Sequence, residues 1–183
     1  KNLQTALGQR IDQQKWMSTE TKKKAHEKLN SFYVKIGYPD EWMDYSKLNI
    51  DESLSYYDNM VRATQFMSNY YIDKHVNKPT DRTEWLMTPQ TINAYYNPTT
   101  NEICFPAGIL QPPFFNAEAD DACNYGAIGV VIGHEMTHGF DDQGAQFDKD
   151  GNLKNWWTPK DKAEFEKRTK VMSDFFDNIK VLP

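Results

Sequence analysis

The residue types best able to do chemistry stand close together at His134, Glu135 and His138. Residues four apart on a helix lie one turn above each other on the same face, so two imidazoles at this spacing can bind one metal ion. Zinc takes such ring nitrogens at about 2.0–2.1 Å. Glu135 would reach the water on that ion, whose pKa zinc lowers toward about 7, take up its proton and later protonate a leaving amine. The pattern predicts two zinc ligands and a general base.

A catalytic zinc site normally has three protein ligands and a water molecule, so this pattern is incomplete by itself. One class of zinc peptidase has Gly three and His six residues after the second histidine, but Asp141 and Gly144 occupy these positions and exclude that class. A glutamate on a later helix is the other common solution. The downstream glutamates are Glu164 and Glu166, which stand among lysines and an arginine and are better explained as surface carboxylates. We therefore expect the third ligand to lie past Pro183.

The segment that precedes His134 is dense in small and apolar residues, which predicts that the helix is buried. Ala127, Val130 and Val131 lie one to two turns before His134. The same segment contains Gly126, Gly129 and Gly133. Each glycine weakens a helix by about 1 kcal/mol relative to alanine, but it lets another backbone approach closely. An alternative in which both histidines are merely buried and hydrogen-bonded would leave an adjacent buried Glu135 without a partner.

The elements that must position these residues can be read from patterning. The first part of the chain predicts helix over residues 3–36, with a cap near Ser18 and an end at Gly37, and a second helix from Asp51 to about Val76. The residues that we expect to face the core in that second helix are Leu54, Tyr57, Val61, Phe66 and Tyr70.

The second part changes character. Residues 90–96 and 102–105 are rich in β-branched and aromatic side chains and flank a turn, which predicts a β-hairpin. A single helix is expected from Asp120 to His138, and a last helix after Thr158, which is followed by Pro159.

Composition narrows the class of protein. The chain has 183 residues, 39% of them hydrophobic and 14% aromatic, which is enough to build a core. Its net charge of −5, with acidic and basic residues interspersed, lacks the clustered basic face that nucleic acid would need. No apolar stretch approaches the roughly 20 residues that span a bilayer. The chain starts at Lys1 inside a predicted helix, so we expect a piece excised from a longer protein.

Three segments, in the same order, resemble one known family. Residues 131–142 are similar to the zinc helix of neprilysin and endothelin-converting enzyme, including their bacterial PepO-type relatives. Residues 93–96 resemble the substrate-binding strand of these enzymes, and residues 105–115 resemble their pocket loop. The resemblance is specific from about residue 84 to 160 and weaker from residue 10 to 83.

The resemblance implies a role for each matching residue. His134 and His138 would bind one zinc ion, Glu135 would be the base, and Asn93 and Ala94 would bind the backbone of a peptide substrate. An edge strand suits this task because its free N–H and C=O groups can pair with an extended peptide.

Further residues match the hydrophobic pocket that accepts the residue after the cut bond, although patterning alone would assign them to the core. These are Ile109, Phe114, Val130 and Val131. Asp141 or Asp142 would orient a zinc ligand, and the alternative is that either is a solvated surface residue.

The predicted fold is a mainly α-helical α+β fold, in which a zincin-like active-site helix lies beside a short β-hairpin with an edge strand. We assign residues 1–80 to a helical N-terminal part and residues 81–183 to the first portion of a zinc metallopeptidase catalytic domain. In the family, the glutamate ligand lies on a Glu-Asn-x-x-Asp motif farther downstream than this chain extends, as do a His and an Arg that stabilise the transition state. We therefore expect residues 1–183 to need the remainder of the parent polypeptide for activity.

The predicted function is that of a zinc-dependent endopeptidase acting on oligopeptides. Cleavage before large apolar residues, and a secreted, periplasmic or membrane-attached location, are implied by the resemblance alone. Two alternatives stay open: a peptide-binding module that keeps the Asn93–Tyr96 strand without turnover, and a zinc site that serves only structure. Glu135 argues against a parent protein evolved for binding alone, because binding needs no base.

Overall fold

The computed structural model describes residues 1–180, which contain six α-helices and a small three-stranded sheet. The elements are α1 (Asn2–Gln13), α2 (Thr19–Asn30), β1 (Tyr33–Gly37), α3 (Tyr56–His75), β2 (Tyr95–Asn97), β3 (Glu102–Pro106), α4 (Asp121–Gly126), α5 (Ile128–His138) and α6 (Pro159–Asp177). The predicted class, a mainly helical α+β fold, is confirmed. No helix within residues 1–180 combines the length and the hydropathy that a membrane span requires.

Packing divides the chain into two compact units. The first unit joins Lys1–Tyr38 to the chain from Met87 onward, and the second is Pro39–Leu86. The first 38 residues thus belong to the same unit as the segment that carries His134. The pairing of β1 with β3 is one of the contacts that join them. The division of the parent protein into functional parts at residues 80 and 81 stays a prediction.

The prediction of helix over residues 3–36, with a cap near Ser18, is confirmed for α1 and α2 and is wrong for the residues after Asn30. The chain leaves the helix after Gln13 and re-enters it at Thr19, where the Ser18 side chain accepts a hydrogen bond from Thr21 N–H, as the capping pattern predicted. Residues 33–37 form strand β1 instead of a last helical turn. Tyr33, Val34 and Ile36 favour a pleated strand, and pairing with β3 decides the conformation.

The sheet has the order β1-β3-β2, with the fully buried β3 in the centre. The predicted hairpin is confirmed in type, since β2 runs antiparallel to β3 with Tyr95 opposite Cys104. The prediction of strand at residues 90–94 is wrong, because β2 begins only at Tyr95. The parallel pairing of β1 with β3 was not predicted. Across it, the buried Lys35 ammonium lies 2.8 Å from a Glu102 carboxylate oxygen. Within residues 1–180, β2 pairs with β3 alone and so forms an edge of the sheet.

The single helix predicted from Asp120 to His138 is interrupted at Ala127, which has φ −106° and ψ −94°. Ile128 N–H donates to the Phe114 carbonyl at 2.9 Å, so the break fixes the start of α5 to the preceding loop. The expected close approach of another backbone is also wrong at two of the three glycines, because a Cβ at Gly126 or Gly133 would meet nothing within 4 Å among the described residues.

The unit Pro39–Leu86 is built on α3, whose N-cap Ser55 accepts a hydrogen bond from Asp58 N–H. The helix starts five residues later than predicted, and no residue of α3 is buried among the described residues. The expected core face is wrong for Tyr57 and Val61, whereas Leu54, Phe66 and Tyr70 are half-buried. Tyr57 and Val61 are exposed by 74% and 50%. A unit this short has too little surface of its own to cover a helix face.

Asp161 joins the starts of α2 and α6. It is 1% exposed, and its carboxylate accepts hydrogen bonds from the Ser18 N–H and hydroxyl and from the Thr21 hydroxyl, while its own N–H is capped by Thr158. Burial alone would raise the pKa of Asp161, but these hydrogen bonds outweigh it and hold the pKa below its usual value of 3.8. One carboxylate thus serves two helix N-termini, where negative charge is favourable.

Replacing Asp161 by Asn should lower the free energy of unfolding by about 2 kcal/mol at pH 7, because the charge-assisted hydrogen bonds from Ser18 and Thr21 are lost. A carboxyl group with a depressed pKa stabilises the fold above its unfolded pKa and stops doing so as the pH falls through its folded value. The gap in melting temperature between wild type and variant should therefore shrink as the pH falls below about 3.8.

The measurement is thermal unfolding of the full-length protein, followed by tryptophan fluorescence from pH 7 to pH 2. Asp174→Asn is the matched control, because Asp174 lies on α6 in an exposed pair with Lys170 and should change stability by less than about 0.5 kcal/mol. An Asp161→Asn gap that stays constant to pH 2 would contradict the assignment.

Candidate metal centre

The two histidines of α5 face each other. His134 Nε2 and His138 Nε2 are 3.0 Å apart, and the two rings are nearly perpendicular, with centroids separated by 4.5 Å. Two ligands of one tetrahedral zinc ion, each at about 2.0–2.1 Å, would have their nitrogens about 3.3 Å apart. The imidazole pair therefore fits a shared metal ion with a small adjustment of the side chains.

Asp141 contacts the second imidazole. Its Oδ2 lies 2.8 Å from His138 Nδ1, and its Oδ1 accepts hydrogen bonds from Gln143 N–H at 3.0 Å and Gly144 N–H at 2.7 Å. With Nδ1 donating to a carboxylate, His138 Nε2 keeps a free lone pair for a metal. Of the two aspartates predicted for this role, Asp141 makes the contact, whereas Asp142 is exposed and pairs at 3.5 Å with the Gln143 side chain.

Glu135 lies beside the histidines in a different environment. It is 7% exposed, and burial raises the pKa of its carboxyl group, which the nearby histidines and a hydrogen bond from Tyr96 N–H oppose. Tyr96 belongs to β2, so the carboxylate is tied to the edge strand of the sheet. A buried carboxylate next to two imidazoles has the environment that a general base requires.

A complete metal cage is not present in the part of the chain that the structure describes, where no group of three or more His, Cys, Asp and Glu residues is arranged around a common point. Glu164 pairs with Arg168 at 2.6 Å, and Glu166 lies 3.8 Å from Lys162, so both behave as surface carboxylates of α6. A third ligand past Pro183 stays a prediction.

The residues predicted to bind substrate, Asn93 and Ala94, lie just before β2 and outside the strand itself. Asn93 is exposed and Ala94 is buried, and the Asn93 side-chain oxygen accepts a hydrogen bond from Ala94 N–H at 2.9 Å. This contact holds the Asn93 amide against the backbone just before β2, next to the strand that is tied to Glu135.

Three of the four residues predicted to line a pocket belong to the hydrophobic core or pack against it. Ile109 is buried in the core, and Phe114 and Val131 pack against that core as half-buried side chains. Val130 differs, because it is 63% exposed and lies one helical turn before His134. Gly108 allows the backbone at Gln90 to approach this loop closely, since a Cβ at Gly108 would lie 2.6 Å from the Gln90 carbonyl oxygen.

Two residues around the site were missed from the sequence. Tyr96 was seen only as part of a strand motif, but its N–H reaches Glu135 and its hydroxyl donates to Asn101 Oδ1 at 3.0 Å. Lys28 is 1% exposed and donates to the carbonyl of Gly144. One sequence signal could have predicted the burial of Lys28. It lies seven residues after Thr21, on the same face of α2 as the buried Ala25.

A helix that carries two converging imidazoles and an adjacent buried carboxylate, next to an edge strand, is typical of zinc peptidases. Two family models, both described as Peptidase family M13, match residues 1–39 and 93–182. The chain belongs to this family, and the predicted resemblance to neprilysin and endothelin-converting enzyme is confirmed.

Similar proteins agree with this assignment. The chain is 44% identical to a neutral endopeptidase of Lactobacillus helveticus, which it matches over 100% of its own length and 28% of the relative's. It is 42% identical to human endothelin-converting enzyme 1, over 98% of this chain and 24% of that protein. A crystal structure of the zinc metalloprotease Zmp1 of Mycobacterium tuberculosis in complex with an inhibitor superposes with a TM-score of 0.92 at 52% identity, over 98% of this chain and 27% of that chain. The chain thus spans about a quarter of the length of these relatives.

Replacing Asp141 by Asn should weaken zinc binding by the full-length protein about 10- to 100-fold. The amide oxygen would keep the hydrogen bonds from the loop N–H groups, which turns its NH₂ group toward His138 Nδ1 and favours the tautomer with a proton on Nε2. Competition against a chromophoric chelator measures the affinity. Asp142→Asn removes the neighbouring carboxylate and should leave the affinity unchanged, and equal losses in the two variants would contradict the assignment.

Proposed function

We propose that the full-length protein is a zinc-dependent endopeptidase and that residues 1–183 supply two zinc ligands, the catalytic base and the peptide-binding strand. The observation that carries the proposal is the convergence of His134 Nε2 and His138 Nε2 beside a buried Glu135 that is tethered to an edge strand. Zinc held there would act as a Lewis acid that polarises a carbonyl and lowers the pKa of a water molecule toward about 7.

The side chains divide the work. Glu135 accepts a proton from the attacking water and returns one to the leaving nitrogen, and its burial beside Tyr96 keeps it out of bulk solvent. Asp141 holds His138 in the tautomer that binds metal. The segment at Asn93 and Ala94, just before β2, pairs with an extended peptide, which would place a backbone carbonyl next to the imidazole pair.

Specificity and location extend this proposal. Phe114 and Val131 pack against the hydrophobic core as half-buried side chains. The exposed Val130 adds apolar surface one turn before His134 on α5, and this apolar surrounding would suit a large apolar side chain after the cut bond. The proposed substrates are oligopeptides, and the proposed location is secreted, periplasmic or membrane-attached, as the family resemblance implies.

Replacing Glu135 by Gln should lower kcat about 10²- to 10⁴-fold and leave zinc affinity within about twofold, because the base is lost while both imidazoles remain. The measurement is hydrolysis of a quenched fluorescent peptide by the full-length protein, together with zinc titration. Glu164→Gln is the matched control, since Glu164 pairs with Arg168 on α6 and should not affect either quantity. Wild-type hydrolysis that resists a zinc chelator would sink the proposal.

Replacing Asn93 by Ala should lower kcat/KM about 10-fold without changing zinc affinity, because a neutral hydrogen bond to the substrate backbone is worth about 1–1.5 kcal/mol. The same peptide assay measures the loss. Asn178→Ala, at the C-terminal end of α6, removes an asparagine side chain outside the strand and should behave as wild type. If Asn93→Ala retains full kcat/KM, this residue does not bind substrate.

A further inference from the structure

Lys28 is a buried cation on the side of α2 that faces the loop after the metal helix. Its side chain is 1% exposed, and its ammonium donates hydrogen bonds to the carbonyls of Gly144 at 2.6 Å and Phe147 at 2.7 Å. The rings of Tyr96 and Trp156 lie under the charge, with centroids at 5.8 and 5.6 Å.

Packing alone does not explain this lysine. Burying an ammonium group carries a large desolvation penalty, and a well-packed apolar side chain of similar volume would often be more stable. Burial lowers the pKa of Lys28 to about 8, against the favourable charges of Asp141 and Asp148. The hydrogen bonds of the ammonium go to two backbone carbonyls of one loop, which indicates that the cation specifies the conformation of that loop.

Gly144 connects this cation to the metal centre. Its C=O accepts from Lys28 and its N–H donates to Asp141 Oδ1 at 2.7 Å. A Cβ at this position would lie only 2.1 Å from the His138 carbonyl oxygen, so Gly144 rests directly on the end of α5. The residue is thereby held on three sides, and its N–H points at the carboxylate that orients His138.

A second set of contacts fixes the same region from the sheet. Asn101 is fully buried, and its Nδ2 donates to the Lys28 carbonyl at 3.2 Å while its Oδ1 accepts from the Tyr96 hydroxyl. Tyr96 N–H in turn reaches Glu135. Lys28 is therefore connected through Gly144 to Asp141, which contacts His138, and through Asn101 to Tyr96, which contacts Glu135.

We propose that Lys28 is a positioning residue of the metal centre, which holds Gly144 so that Asp141 keeps His138 Nε2 directed at the metal. This inference rests on the proposed function, because it concerns the same site. The first 38 residues then contribute to metal binding without contributing a ligand.

Replacing Lys28 by Met keeps most of the aliphatic stem and removes the charge and the two hydrogen bonds. We expect zinc affinity of the full-length protein to fall about 10-fold, at the lower end of the range for groups that orient metal ligands. We also expect kcat to fall and KM to stay unchanged, because the residue does not touch substrate. Lys28→Gln keeps an N–H donor that can reach one carbonyl, and should lie between wild type and Lys28→Met.

A double-mutant cycle with Asp141 tests the route. If Lys28 acts through Asp141, the variant with both Lys28→Met and Asp141→Asn should bind zinc no more weakly than Asp141→Asn alone. Asp161→Asn is the control for lost stability, because Asp161 supports α2 from its other end and should leave zinc affinity unchanged at temperatures where the variant is folded.

Unchanged zinc affinity in folded Lys28→Met and Lys28→Gln, or losses that multiply in the double variant, would overturn the positioning role. Circular dichroism and the melting temperature without metal establish that each variant is folded. Wild-type hydrolysis tests the proposed function separately: a protein that binds zinc and cleaves no peptide would refute the peptidase proposal, while the zinc affinities of the variants would still decide the role of Lys28.

Discussion

Two imidazole rings on one helix can bind a single metal ion only if both turn a nitrogen lone pair toward the same point and hold it there. A spacing of four residues brings the rings together, and it leaves each ring free to rotate and to exchange tautomers. The 3.0 Å separation between His134 Nε2 and His138 Nε2 therefore depends on contacts from outside α5. Much of the packing around α5 provides those contacts.

The contacts that hold the metal helix come from separate parts of the chain. Asp141 approaches His138 from the loop after α5, and that loop is closed by the N–H groups of Gln143 and Gly144 and by the buried ammonium of Lys28 on α2. Glu135 is held from the sheet by Tyr96. Buried polar groups of this kind rigidify a site when they are fully hydrogen-bonded, and they are expensive when they are not. The first 38 residues pack into the same unit as the metal helix, which gives a physical reason why the two are joined in one chain.

Local patterns predicted much of this structure. The motif at His134, the hairpin and the N-caps at Ser18 and Thr158 each depend on neighbours a few residues apart, which a sequence displays directly. The family resemblance left Asp141 and Asp142 as alternatives beside a histidine, and the structure shows the contact for Asp141. Strand β1 was missed because its partner, β3, lies about 70 residues away, and long-range pairing overrides local helical periodicity. Lys28 was missed because a lysine normally marks a solvated helix face. Only the tertiary structure shows that its ammonium donates to the carbonyls of Gly144 and Phe147. The break at Ala127 follows from the hydrogen bond of Ile128 to a distant loop, which periodicity does not contain.

The central claim is that the two imidazoles of α5 are the histidine ligands of one zinc ion. X-ray absorption at the zinc edge of the full-length protein tests this claim most directly. The account predicts one zinc ion per chain, with two imidazole nitrogens at about 2.0–2.1 Å and the remaining ligands oxygen. A sulfur ligand at about 2.3 Å, a third imidazole, or the absence of stoichiometric zinc would contradict it.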